Sequence, residues 1–115
     1  MRAIVVLDDR AAATTAIMSR WLGAPPTTVL RLLAILGAIN ELEALPGKDR
    51  EALVAAIAAA EKEIEEDPRY GSHTYLGEKA VKDILERALK RLAARGGKDR
   101  ERARRAAELL HLEPP

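Results

Sequence analysis

The sequence predicts an all-α fold: a compact bundle of five helices with short loops, arranged around a central apolar helix at about residues 25–45. Three observations carry this. Alanine and leucine dominate the hydrophobic residues, which make up 48% of the 115-residue chain, while phenylalanine is absent and aromatics total 3%. Such a composition suits close helix packing and suits strands poorly, because strands favour β-branched and aromatic side chains. Apolar residues recur at three- and four-residue spacings along most of the chain, the period of one helix face. Proline, glycine and aspartate then punctuate these segments where helices start and stop.

The first segment, 2–22, contains RAIVVL, which alone would pass for a buried strand. Ile4, Leu7, Ala11, Thr14, Met18 and Trp21 nevertheless keep helical spacing throughout, and a lone strand would leave its backbone groups unpaired. Gly23 closes this helix and Pro25-Pro26 opens the next. From Val29 to Ile39 the second helix carries one charge, Arg31, so it has to be covered on nearly every side. Trp21 is expected to seal one end of the bundle. A third helix is expected from Arg50 to about Glu66, capped by Asp49, with Leu53, Ala56, Ile57, Ala60 and Ile64 facing inward. Asp67-Pro68 ends it. Ser72 is the expected cap of a fourth helix reaching about Arg95, with the stripe Leu76, Ala80, Ile84, Leu85, Ala88, Leu89 and Leu92 and with Glu78–Lys82 and Glu86–Lys90 pairs outside. Asp99 is expected to cap a fifth helix running to about Leu112. The length corresponds to a single helical domain, 1–115.

Composition also bounds function. The formal net charge is +1, from 19 basic and 18 acidic residues, which argues against bulk binding of a phosphate backbone. The basic run Arg95, Lys98, Arg100, Arg102, Arg104 and Arg105 lacks aromatic interleaving and reads as a solvated face, so no nucleic-acid partner is expected. Without cysteine there is no disulfide, thiolate metal site or cysteine nucleophile. No apolar run approaches the roughly 20 residues that span a bilayer, and MRAIVVLDDR is too short and too acidic for a secretory signal. The expectation is a soluble, cytoplasmic protein with no membrane partner and no targeting signal.

Two connections share their wording: Gly47-Lys48-Asp49-Arg50-Glu51 and Gly97-Lys98-Asp99-Arg100-Glu101. The flanking helices differ, so this is one solution used twice rather than an internal repeat. With alanine-rich interiors and alternating Glu, Lys and Arg on the surfaces, residues 46–115 resemble computationally designed de novo helical bundles, and residues 1–45 do so less closely. The resemblance implies a regular helical scaffold and brings no catalytic residues with it, since that class shares rules of construction and no common chemistry.

Departures from such rules are where function is sought. Gly37 and Gly77 sit where the pattern wants a helix interior, at a cost of about 1 kcal/mol relative to alanine. Asn40 lies on the apolar helix, where a buried amide needs partners. With Trp21 and Tyr75 these residues form the candidate lining of a small-molecule site. A catalytic version would be acyl transfer: Ser72 at a helix start near free amides, His111 or His73 as base, and Asp8 or Asp9 orienting the base. A haem-type site would use one histidine as axial ligand beside Gly37 or Gly77. The two histidines show no metal-ligand spacing, so no metal site is expected and no cofactor is required. Against these stands a structural reading. Ile4, Val5, Val6 and Leu7 add apolar surface in four successive directions, more than one small bundle buries, and surplus of this kind marks an interface. The leading expectation is therefore a designed scaffold that self-associates through its first two helices into a homo-oligomer. The alternative is an internal pocket for a small-molecule ligand, either a Ser/His-type ester hydrolase or a single-histidine haem binder.

Overall fold

The computed structural model describes residues 7–69 and 77–115. Among the described residues there are five helices: α1 (Asp9–Leu22), α2 (Pro26–Glu43), α3 (Gly47–Glu66), α4 (Glu78–Ala94) and α5 (Gly97–Leu109). Among the described residues there is no strand. The all-α class and the number of helices match the sequence expectation. Residues 2–6, including Ile4, Val5 and Val6, lie outside the described residues, as do Tyr70, Ser72, His73, Tyr75 and Leu76. Contacts divide the chain into two units, one ending at Ala44 and one running from Leu45 to Pro115, and each is taken by itself.

In the first unit α1 packs against α2. The helix expected from residue 2 starts at Asp9, because Asp8 is its N-cap: the Asp8 carboxylate accepts from the Ala11 amide at 2.8 Å. Gly23 ends α1 in the left-handed region at φ 64°, and the amide of Ala24 donates to the Ser19 carbonyl at 3.1 Å. A side chain is disfavoured there, which is why the turn uses glycine. The chain then bends by 104° into α2, whose first turn holds Pro26. The inward side of α1 is Thr15, buried, with Ala11 and Met18 half-buried. Thr15 satisfies its hydroxyl by donating to the Ala11 carbonyl at 2.7 Å. Thr14, expected in the stripe, is exposed and donates to the Arg10 carbonyl instead.

The second unit is a three-helix bundle in which α3, α4 and α5 all touch one another. Its core is Ala52, Ala56, Leu89, Leu92, Ala103, Ala106 and Ala107. Alanines on α3 and α5 let those backbones approach, and the leucines of α4 fill the remaining space. The α4 stripe is as expected, with Ile84, Ala88, Leu89 and Leu92 buried. The α3 stripe is rotated: Ala52, Ala56 and Glu63 are buried, while Ile57 is 54% exposed. The shorter residue wins the inward position because the bundle is closely spaced there.

The helix starts also differ from expectation. Asp49 and Asp99 are not caps; α3 and α5 already begin at Gly47 and Gly97, which puts both aspartates in the first helical turn. Pro46, at φ −53° and ψ 148°, leads into α3, whereas Gly96 and Gly97 lead into α5 at the positive φ of 73° and 56° that glycine tolerates. The N-cap of α4 is Gly77, in extended conformation at φ −75°, rather than Ser72. Gly77 therefore occupies a helix boundary and not an interior. On α4 the helical ion pairs run Lys82–Glu86 and Asp83–Arg87 rather than from Glu78 to Lys82.

Candidate functional site

The residues singled out by sequence are placed as follows. Asp8 is engaged as the α1 cap. Trp21, in the last turn of α1, is 77% exposed and does not seal a bundle end; with Ala16, Ile17 and Arg20 it borders a shallow depression. Gly37 sits in the middle of α2 with nothing within 4 Å of where a Cβ would stand, and Asn40 one turn later is exposed. His111 lies just beyond α5 at φ 57° and is exposed; its amide donates to the Glu108 carbonyl at 3.3 Å. Ser72, His73 and Tyr75 lie outside the described residues. Among the described residues no group of three or more His, Asp or Glu side chains is arranged to hold a metal ion.

Two polar networks that spacing alone did not reveal tie the second unit together. At the start of α3, Asp49 receives a forked contact from Arg105 of α5, Nε to Oδ1 at 2.5 Å and Nη2 to Oδ2 at 3.1 Å. Arg105 also donates to Glu108 at 2.8 Å. The guanidinium bond holds the Asp49 carboxyl below the usual carboxylate range, against a smaller opposing effect of burial. At the other end of α3, Asp67 accepts from the side chain and the backbone amide of Arg69 and from Arg87 Nη1 at 2.9 Å. Those bonds, Arg69 first, push its carboxyl well below the ordinary value. Glu63, nearly enclosed, lies 2.9 Å from Arg91 Nε, and Arg91 Nη1 reaches Glu66 at 2.6 Å. Of the basic run expected to be a solvated face, Arg95, Arg102 and Arg105 are paired with carboxylates. The twin Gly-Lys-Asp-Arg-Glu segments lie at the same end of this bundle, because α3 and α5 run parallel with α4 between them. A groove of about 810 Å³ opens there, bordered by Lys48, Asp49, Lys98, Glu101, Arg102 and Arg105.

The larger departure from an ordinary surface is on α1 and α2. Only Val29 of α2 is buried. Leu32, Leu33, Ile35, Leu36 and Ile39 are all at least 40% exposed, and Ile17 and Leu22 of α1 are exposed with them. At 3.6 residues per turn, Val29, Leu30 and Leu33 fall on one side of α2. That side meets α1: Val29 is buried there, and Leu30 and Leu33 share a depression with Ala11, Thr14 and Thr15. Leu32, Ile35, Leu36 and Ile39 fall in an arc of about 100° on another side. No single helix among the described residues is long and apolar enough to cross a membrane. Comparison with known proteins finds no matching family model, no matching curated protein and no matching solved structure.

Proposed function

We propose that this chain is an idealised helical scaffold of the designed type, which self-associates through α1 and α2 and carries no chemistry of its own. The observation that supports this reading is the exposure of Leu32, Ile35, Leu36 and Ile39 in one arc of α2, together with the exposure of Ile17, Trp21 and Leu22 on α1. Apolar area removed from water contributes about 25 cal/mol per Å², and isolated exposed hydrophobes are ordinary while contiguous ones mark interfaces. The second unit supplies the complementary half of the argument. Its core is alanine and leucine, guanidiniums such as Arg91 and Arg105 pair with carboxylates of a neighbouring helix, and its connections reuse one five-residue segment. That regularity supports a reading of construction by rule. Mass measured by light scattering over a wide concentration range tests the reading. Masses that are multiples of 12.5 kDa and rise with concentration are expected; a monomer at the highest concentration overturns it.

A further inference from the structure

We infer that the contact between two copies is an antiparallel pairing of their α2 helices along Leu32, Ile35, Ile39 and Leu42. This rests on the self-association proposed above and adds its orientation and register. The residues follow one another at spacings of 3, 4 and 3, the alternation that keeps an apolar seam facing a partner helix crossing at about 20°. Leu32, Ile35 and Ile39 of the seam are exposed and Leu42 at its end is half-buried, and the seam lies on a different side of α2 from the one packed against α1.

Charge selects the orientation. α2 has no acid in its first turn and no base in its last. It carries Arg31 in its N-terminal half and Glu41 and Glu43 at its C-terminal end, an arrangement opposed to its own macrodipole. In a parallel pair Arg31 stands level with Arg31 of the second copy, and each acidic end meets another acidic end. In an antiparallel pair, layering Ile35 on Ile39 and Leu32 on Leu42 puts Arg31 level with Glu43 of the second copy. Both acidic ends then approach the positive end of the opposing helix. The pairing is isologous, so every contact occurs twice and the assembly closes on itself. A second copy fits the face for these reasons, and the near absence of charge between Pro26 and Asn40 gives an acidic or basic partner nothing to recognise.

The chain has no cysteine, so single replacements report position cleanly. Ile35→Cys and Ile39→Cys chains, one lengthened by a tag, are mixed and oxidised. The mixed cross-link should dominate over either self-cross-link. Efficient Ile35→Cys self-cross-linking would mean a parallel pair and overturn the inference. Association without any cross-link would place the contact elsewhere, overturning the inference while leaving self-association standing; a monomer would remove both. Charge reversal gives an independent readout. Arg31→Glu should weaken association roughly tenfold, through two exposed pairs turned repulsive. Adding Glu41→Lys and Glu43→Lys should restore it. A parallel pair would be indifferent to both.

Discussion

Arg105 on α5 grips Asp49 in the first turn of α3 through two guanidinium nitrogens, the shorter contact being 2.5 Å. The equivalent aspartate of the other Gly-Lys-Asp-Arg-Glu segment, Asp99, is served by Arg102 and Arg95 from its own and the preceding segment. One sequence word thus has two structural uses. Asp49 joins two helices distant in sequence, while Asp99 is held locally. Asp49→Asn should lower the melting temperature followed by circular dichroism, and by more than Asp99→Asn does, since only the first loosens the α3–α5 contact. Equal effects would show that the fork contributes nothing beyond a first-turn acid.

Stability should fall in acid. The carboxyls of Asp49, Glu66 and Asp67 are all held below their ordinary values by neighbouring guanidiniums. A group whose folded pKa is depressed stabilises the fold fully above its unfolded value, near 4, and loses that contribution as pH falls through the folded value. The melting temperature should therefore vary little between neutral pH and about pH 5 and drop below about pH 4. Asp67→Asn should make the drop shallower. A profile that is flat down to strongly acidic pH would contradict the geometry of both networks.

Packing in the second unit gives a contrast within one helix bundle. Leu89, 1% exposed, should cost about 2–5 kcal/mol when replaced by alanine, by lost burial and the cavity left behind. Ala103, fully buried between helices, should resist enlargement: Ala103→Leu should cost about 1–3 kcal/mol through overpacking. Ile57→Ala, on the exposed side of α3, should stay within about 0.5 kcal/mol. Denaturant unfolding measures all three. A large loss at Ile57 would return it to the core.

Two glycines should respond with opposite signs to the same substitution. Gly23 adopts φ 64° with open space around it, so Gly23→Ala introduces only backbone strain and should destabilise by about 1–2 kcal/mol. Gly37 is a helix-interior glycine with equally open surroundings, so Gly37→Ala should stabilise α2 by up to about 1 kcal/mol. Thermal unfolding of the two variants checks the pair. A loss at Gly37 would mean that something packs closely against that backbone.

Much of this fold was legible in the sequence because helices announce themselves by period and by their ends. The α4 stripe, the Gly23 stop and the Pro26 start were all readable from local rules. The misreadings came where a local rule had two solutions. Asp49 and Asp99 have the chemistry of caps, yet Pro46 and the Gly96-Gly97 pair start their helices earlier and release both carboxylates for arginines. On α3, Ile57 and Ala52 compete for one inward direction, and the spacing between helices, which no single segment encodes, decides for alanine. Trp21 looked like a core residue because it is large and is found exposed. The Arg105–Asp49 fork depends on α3 and α5 being parallel, a tertiary fact; the shared Gly-Lys-Asp-Arg-Glu wording was the one hint that the two starts meet. For the candidate site, the apolar stretch itself was evident, but which arc of α2 is left uncovered required knowing where α1 lies. Ser72, His73 and Tyr75 fall outside the described residues, so the hydrolase and haem readings gain no support from geometry.

The most direct test of the account is the mass of the Ile35→Glu/Ile39→Glu chain beside that of the parent, by sedimentation equilibrium with helix content followed in parallel. The parent should sediment as a multiple of 12.5 kDa, and the variant, with two carboxylates on the exposed arc of α2, should sediment as a helical monomer. A parent that is already monomeric, or a variant that assembles as well as the parent, would contradict it.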